Sequence, residues 1–558
     1  MQGLKRAQTL MGRRWAIIGM LIVLAAVLML RSLGNNTIGY PDADRILMDG
    51  VFMADVMRDM PLGAPWGYAQ AYFVQYPALS IGYRPPFFPA VEGLFNIIFG
   101  INMWSSRLAL FAFVVTGLCY WVKLIEQVAD RRVAAWSGAL WVSTPFLAQW
   151  GWYTMAELAV LGMTIAAIYY LYRWVETERL TDAFLMAVFI GLAGWSKQTA
   201  AFLALVVVGY LLARGKLLWA VRRPGHWGAF ALLLVLAVPL ALMTIAFGDQ
   251  NIHQSVGQGD ADSVSRWSLA NWGIHLKTLA EMHLTLPVLI LAGAGLIVAG
   301  VKRQRQAVLP LVAVVSIFVF FSLLMGKNPR YPIFWIPFWC FFATLPLALA
   351  DLRRGLKVAY QGALIVIVAF QAYSLYQREP AFVSGYDQAA KIAVREANTT
   401  GIFIDAFNNG YFTYFVRQAD KDRSHYVFRG DKLLSSSSIS TQHWLEVHMT
   451  KAEEIRKAFD DLAVSIVVVE SINYAEVPIH DILRQMLEGP GFERIATIDI
   501  ASNRVMSSVT DMPRFEDQQL YIYRYLNAKS EMSGEITLRL PVVGQEVSRS
   551  FEKNDKDR

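Results

Sequence analysis

Three groups of residues carry side chains suited to chemistry. The first is a run of carboxylates, Pro41-Asp42-Ala43-Asp44-Arg45, followed along one helical segment by Asp49, Asp55 and Asp59. A carboxylate within hydrogen-bond reach of a hydroxyl or amine can accept its proton, and lone carboxylates can also serve as weak oxygen ligands to a divalent ion. The same Asp42 or Asp44 can instead cap a helix. The second group is cationic: Arg84 in Tyr83-Arg84-Pro85-Pro86, Lys197 in Gly194-Trp195-Ser196-Lys197-Gln198, and Arg330 in Asn328-Pro329-Arg330-Tyr331. Cations in a partly dry site hold anions well, whereas at helix ends long basic side chains also snorkel to lipid headgroups. The third is Glu157, a carboxylate in an apolar run, which needs either a partner on a neighbouring helix or a part in a site.

The elements that position these residues are mostly apolar. Hydrophobic residues make up 55% of the 558 and charged residues 17%, more apolar than a water-soluble chain of this length. Apolar runs near 15–33, 103–124, 133–150, 153–172, 182–196, 198–213, 228–247, 284–300, 307–325, 331–350 and 357–375 predict a polytopic α-helical membrane protein with about eleven crossings. With the N-terminus in the cytoplasm, Arg131/Arg132, Arg173/Arg179, Arg214/Lys216/Arg222/Arg223, Lys302/Arg303/Arg305 and Arg353/Arg354/Lys357 all fall on the cytoplasmic side. That parity requires residues 182–214 to cross twice, with a break around Ser196-Lys197-Gln198.

The polar mass then lies outside: a first loop 34–102, a second loop 248–283, a turn 326–330, and everything after Ser374. Domains are expected at 1–375 for the membrane part, 376–548 for a soluble outer α/β domain, and 549–558 for a disordered charged tail. The α/β domain is read from strands at 401–405, 425–429, 464–470, 493–500 and 520–525, with helices at 386–397, 451–459 and 480–487, and a loop at Ser435–Ser438. Cys119 and Cys340 both sit in apolar runs and offer neither a disulfide framework nor a thiolate metal site. The net charge of +7 resides in short loops rather than a continuous stripe, which argues against nucleic acid. His253, His275 and His283 lack metal-ligand spacing and are expected to be solvated. Neither a phosphate-cradling glycine motif nor an internal repeat is evident, which counts against a nucleotide fuel and an inverted-repeat transporter.

The order of these pieces resembles the polyprenyl-phosphate-dependent glycosyltransferases of the GT-C class, in particular family 39, the protein mannosyltransferase and aminoarabinose transferase branch. The resemblance rests on Pro41-Asp42-x-x-Arg45, Arg84-Pro85-Pro86 with an amphipathic stretch ending Phe99-Gly100, Arg107-Leu108, Glu157, Gly194-Trp195-Ser196-Lys197-Gln198 and Asn328-Pro329-Arg330-Tyr331, over about the first 350 residues. Asp42-Ala43-Asp44 departs from the family's Asp-Glu pair and leaves open which carboxylate is the base.

The resemblance implies a single inverting displacement at the anomeric carbon of a polyprenyl-phosphate-linked sugar, on the outer face of a bacterial cytoplasmic membrane. Asp42 or Asp44 would take the proton of an acceptor hydroxyl or amine. Lys197, Arg330 and Arg84 would hold the leaving phosphate, with Tyr331 orienting it and Glu157 in a supporting place. The acceptor is a glycan, lipid or protein, and a divalent metal is an open requirement. The contrasting expectation is a multi-pass transporter of an envelope lipid or sugar, with Glu157 and Lys197 on an ion pathway.

Overall fold

A computed structural model describes residues 2–80, 82–248, 252, 265–348, 353–437, 445–473, 475–503, 518–540 and 545–551. Among them, seven helices are long and apolar enough to cross a membrane: Gly12–Met29, Met103–Val128, Glu157–Thr177, Pro224–Phe247, Arg305–Leu323, Tyr331–Ala348 and Arg354–Tyr376. Shorter apolar helices occupy Phe87–Phe99, Leu180–Ser196, Gln198–Ala213 and Leu286–Val301. The run expected at 133–150 is not one helix. Arg131–Ser143 ends at Thr144, and a short helix, Pro145–Ala148, leads into a 3-10 turn at Gln149–Trp152. Pro145 has no N–H for the ladder and disfavours helical geometry at the residue before it, so Thr144 takes ψ 116° and the helix stops.

Contacts group the chain into two units: Met1–Leu33, Arg84–Phe88 and Arg107–Pro380 in one, and Gly34–Tyr83, Pro89–Ser106 and Ala381–Arg558 in the other. The sequence assigns the first loop to the membrane part, whereas its contacts are chiefly with the C-terminal residues.

In the helical unit, Met103–Val128 and Glu157–Thr177 meet at Gly117 and Gly162, where a Cβ on Gly117 would lie 3.2 Å from the Gly162 Cα. Small residues allow this close backbone approach, and they fix the helix whose first residue is Glu157. The apolar stretch after Arg179 breaks at Lys197, which is extended at φ −164° and ψ 135°.

The second unit is a five-stranded sheet with helices. Strands β1 (Gly401–Asp405), β2 (Tyr426–Arg429), β3 (Ser435–Ser437), β4 (Leu445–Val447), β5 (Val464–Glu470), β6 (Phe492–Ile500), β7 (Gln518–Tyr525), β8 (Glu535–Leu540) and β9 (Gln545–Ser550) follow in chain order. The main sheet runs β2-β1-β5-β7-β6, with β1 parallel to both β2 and β5, and β7 antiparallel to β5 and β6. Val464–Glu470 is buried on both faces, which explains its unbroken apolar reading. Phe73 and Val74 of the first loop enter the same core as Phe403, Phe459, Val467 and Leu483.

Two expectations are corrected here. Ser435–Ser437 is a strand paired with Leu445–Val447 rather than a loop, because hydroxyls tolerate the edge of a small ladder. Arg549 and Ser550 pair with Ile536 and Glu535 instead of belonging to a disordered tail, while 552–558 lies outside the described residues. The helix Asn409–Ala419 was not expected; its polar stripe of Asn409, Thr413 and Arg417 is itself buried rather than facing solvent.

Candidate active site

Within the helical unit, four of the singled-out residues converge. Glu157 is 1% exposed, and its Oε1 accepts from the Lys197 ammonium at 2.6 Å and faces the Arg330 Nε at 3.5 Å. Lys197 Nζ and Arg330 Cζ lie 5.6 and 5.7 Å from the centre of the Tyr331 ring, so both cations approach one aromatic ring. Arg84 is close enough to Lys197 for their charges to repel. Two cations converge on one carboxylate in a largely dry place, with a third near. Such a site attracts an anion. The headgroup-anchoring alternative for Lys197 and Arg330 does not describe this structure, since their side chains are 22% and 12% exposed and turn to Glu157.

Local structure explains the aim of each cation. The break at Lys197 ends one apolar helix just before the 3-10 turn Gln198–Ala201. Arg330 follows a turn in which its N–H donates to Asn328 Oδ1 at 3.1 Å and the Tyr331 N–H donates to the Asn328 carbonyl at 3.0 Å. His283 holds that turn from behind. The Trp335 indole donates to its Nδ1 at 2.7 Å, which leaves Nε2 as the N–H that donates to the Pro329 carbonyl at 2.6 Å. His283 and His275 are buried, not solvated as expected, and His275 Nε2 lies 3.1 Å from the Phe321 carbonyl. Sequence reasoning missed His283 because it looked for metal spacing, whereas the useful signal was a histidine beside an apolar helix start. His253 lies outside the described residues.

In the other unit the carboxylates of the first loop separate into distinct uses. Asp42 occupies the N-cap position of the helix Ala43–Asp59 but makes no capping hydrogen bond, and it is half-buried. Asp44 is buried; its Oδ1 accepts from the Arg45 N–H at 2.7 Å, and its other oxygen presses on Gly410, where a Cβ would not fit. Burial raises the Asp44 pKa against the opposing pull of Arg45. Asp49 accepts from the Ser80 N–H at 2.7 Å and from its hydroxyl. Asp55 takes the Arg417 guanidinium on both oxygens at 2.8 and 2.7 Å and the Tyr72 hydroxyl at 2.8 Å. Asp59 pairs with Arg423 and with Tyr68 at 2.7 Å. Of these five, Asp42 and Asp59 are the least enclosed.

At the carboxyl ends of β1 and β5 lies a network that no sequence pattern announced. Ser435 Oγ lies 2.9 Å from His480 Nε2, and His480 Nδ1 lies 2.7 Å from Asp405 Oδ1, whose second oxygen accepts from Arg484 at 2.7 Å. The atom order is that of a nucleophilic triad. Ser435 and His480 are 4% and 1% exposed, however, so the hydroxyl is closed to a substrate carbonyl and the network acts as a brace. Among the described residues no three His, Cys, Asp or Glu side chains gather as a metal site.

Residues 83–242 match a family model described as dolichyl-phosphate-mannose-protein mannosyltransferase. No curated protein sequence matches the chain. The fold is similar to the crystal structure of ArnT from Cupriavidus metallidurans bound to undecaprenyl phosphate, at 15% identity and a TM-score of 0.58, over 91% of this chain and 98% of that one. The apo oligosaccharyltransferase of Archaeoglobus fulgidus is similar at 12% identity and a TM-score of 0.50, covering 82% of this chain and 69% of that one. The mycobacterial arabinofuranosyltransferase AftD is similar at 16% identity and a TM-score of 0.51, and this chain, 94% covered, spans 40% of its length. The architecture is that of a multi-pass helical membrane protein with a C-terminal mixed α/β region.

Proposed function

We propose that this chain is a GT-C membrane glycosyltransferase that transfers one sugar from a polyprenyl-phosphate donor to an acceptor hydroxyl or amine by single inverting displacement, a reading supported by the match of residues 83–242 to the mannosyltransferase family model. The observation that carries this reading is the convergence of Lys197 and Arg330 on the buried Glu157. As the glycosidic bond breaks, negative charge develops on the departing phosphate. Cations fixed in a dry site stabilise that charge more in the transition state than in the ground state. Lys197 and Arg330 hold the phosphate, Arg84 adds to the field, Tyr331 supplies the aromatic face, and Glu157 keeps the two cations apart and aimed.

Asp42 is the base in this reading, and Asp44 is structural. Asp42 is half-buried and does not cap its helix, whereas Asp44 is buried with one oxygen on a backbone N–H and the other against Gly410. A placed base contributes about 10²- to 10⁴-fold.

Two observations support the expected membrane arrangement. Helix Phe87–Phe99 is reversed in polarity: Glu92 and Asn96 are buried while Ile98 is 70% exposed, as suits a surface wetted by lipid. The C-terminal ends of the first and last spanning helices meet, since Arg31 donates to the Tyr376 carbonyl at 2.5 Å. Those helices therefore run parallel, as an odd number of crossings requires, in keeping with two passes within 182–214. The N-terminus is assigned to the cytoplasm and the C-terminal domain to the outer side of a bacterial inner membrane, on the charge bias of the loops.

The test is transfer of labelled sugar from synthetic polyprenyl-phosphate donors by the purified chain. Release of polyprenyl phosphate that Asp42→Asn abolishes and Asp44→Asn leaves in proportion to folded protein is the expected outcome. Absence of donor turnover and donor binding across several sugars would move the transporter reading forward.

A further inference from the structure

We propose that the cleft between the first and last spanning helices binds one anionic phospholipid. The cleft has a volume of about 270 Å³ and is lined by Val27, Leu28, Ala372, Leu375, Arg31 and two tyrosines, Tyr373 and Tyr376. Its floor is aliphatic, and it opens on a face where Val27 is 67% exposed. On a membrane-spanning helix that face is solvated by lipid chains, so the cleft takes a hydrocarbon chain rather than water.

The mouth is polar and pre-arranged. Arg31 Nη1 donates to the carbonyls of Tyr376 at 2.5 Å and Arg378 at 3.1 Å, and its guanidinium carbon lies 4.6 Å from the centre of the Tyr376 ring. Those contacts fix the planar group through one nitrogen and one face. Its hydrogen bonds to described residues all run through Nη1, and no carboxylate among those residues pairs with it. Nε and Nη2 thus remain as donors on a held cation at the end of an apolar cleft. Tyr373 and Tyr376, 63% and 67% exposed, place phenol rings at the same end.

That combination selects a headgroup with net negative charge. A phosphate can take two parallel N–H donors from a guanidinium, and its charge compensates an arginine that has no carboxylate partner of its own. A zwitterionic headgroup brings its own cation to the same mouth and loses that advantage. The helix-capping bonds of Arg31 explain why it is rigid; they do not explain the lined cleft beneath it.

The site is tested with the full chain, purified and exchanged into mixed micelles of phosphatidylglycerol and phosphatidylcholine, with retained lipid read by native mass spectrometry. The wild type is expected to retain phosphatidylglycerol about fivefold over phosphatidylcholine, the factor that corresponds to roughly 1 kcal/mol per basic residue at a membrane surface. Arg31→Gln removes the preference. Ala372→Trp fills the cleft, keeps the Arg31 bonds, and lowers phosphatidylglycerol retention without shifting the melting midpoint. Equal retention of the two lipids by the wild type, or unchanged retention in Ala372→Trp, overturns the proposal. Displacement of phosphatidylglycerol by undecaprenyl phosphate, with the same dependence on Arg31 and Ala372, overturns the assignment of the occupant to a phospholipid.

Discussion

In the unit of long helices, Lys197 and Arg330 both face the carboxylate of Glu157, whereas in the unit that carries the sheet the buried Arg417 grips Asp55 on both carboxylate oxygens, with Tyr72 and the more exposed Arg58 also on that carboxylate. Arg429 likewise has Asp431, at 2.8 and 2.6 Å. Matched, bidentate pairs satisfy both partners and need nothing further from outside. Cations gathered in a dry site become more favourable when an anion arrives. Glu126 also faces two arginines, Arg14 and Arg131, but those are 34% and 29% exposed and water or headgroups can screen them. The contrast separates bidentate pairs from cations gathered around one carboxylate, which the proposed reading assigns to a ligand.

The contrast breaks first at activity. Lys197→Ala and Arg330→Ala should each lower kcat/KM for donor about 10²- to 10³-fold, the range for removing one preorganised donor from a transition-state site. Steady-state transfer assays check this, with circular dichroism confirming helix content. Cutting a matched pair should act on stability instead. Asp55→Ala strands the buried Arg417 and should cost about 3–5 kcal/mol, read as a fall in the urea midpoint.

The sheet unit also holds a pH signature. Burial raises Glu470 to about 7, against the hydrogen bond from the Phe407 N–H at 2.6 Å. A carboxyl raised in the folded state binds more protons there than in the unfolded chain. Its contribution is therefore full below about 4.5 and is lost as pH rises through about 7, a change of about 3 kcal/mol. Asp420 has the opposite sign: hydrogen bonds from His425 and Ser424 overcome burial and bring it to about 2, so its contribution is lost as pH falls below 3.8. Urea midpoints between pH 4.5 and 7 should fall in the wild type and flatten in Glu470→Gln. The smallest effect is expected at His283. His283→Phe removes the donor to the Pro329 carbonyl and should weaken donor binding up to about tenfold, with partial recovery in His283→Gln.

Much of this was legible in the sequence, for identifiable reasons. Long apolar runs gave the spans because lipid demands them, and Val464–Glu470 and Gly401–Asp405 were readable as strands because both are short and continuously apolar between turns. The pairing of Glu157 with Lys197 and Arg330 was not, since residues 40 and more positions apart meet only through packing at Gly117 and Gly162 and the break at Lys197. The same holds for Asp42 and Asp44. Their types were readable, but their different burial depends on Gly410, far along the chain. Pro145 was a visible stop signal that the apolar run around it concealed.

The most direct test of the cationic cluster is equilibrium binding of polyprenyl phosphate to the purified wild type, Lys197→Ala, Arg330→Ala and Asp42→Asn. The account predicts that both cation variants lose most of the binding, while Asp42→Asn binds as the wild type does and fails to turn over. Unchanged binding in Lys197→Ala and Arg330→Ala, or wild-type turnover by Asp42→Asn, would contradict it.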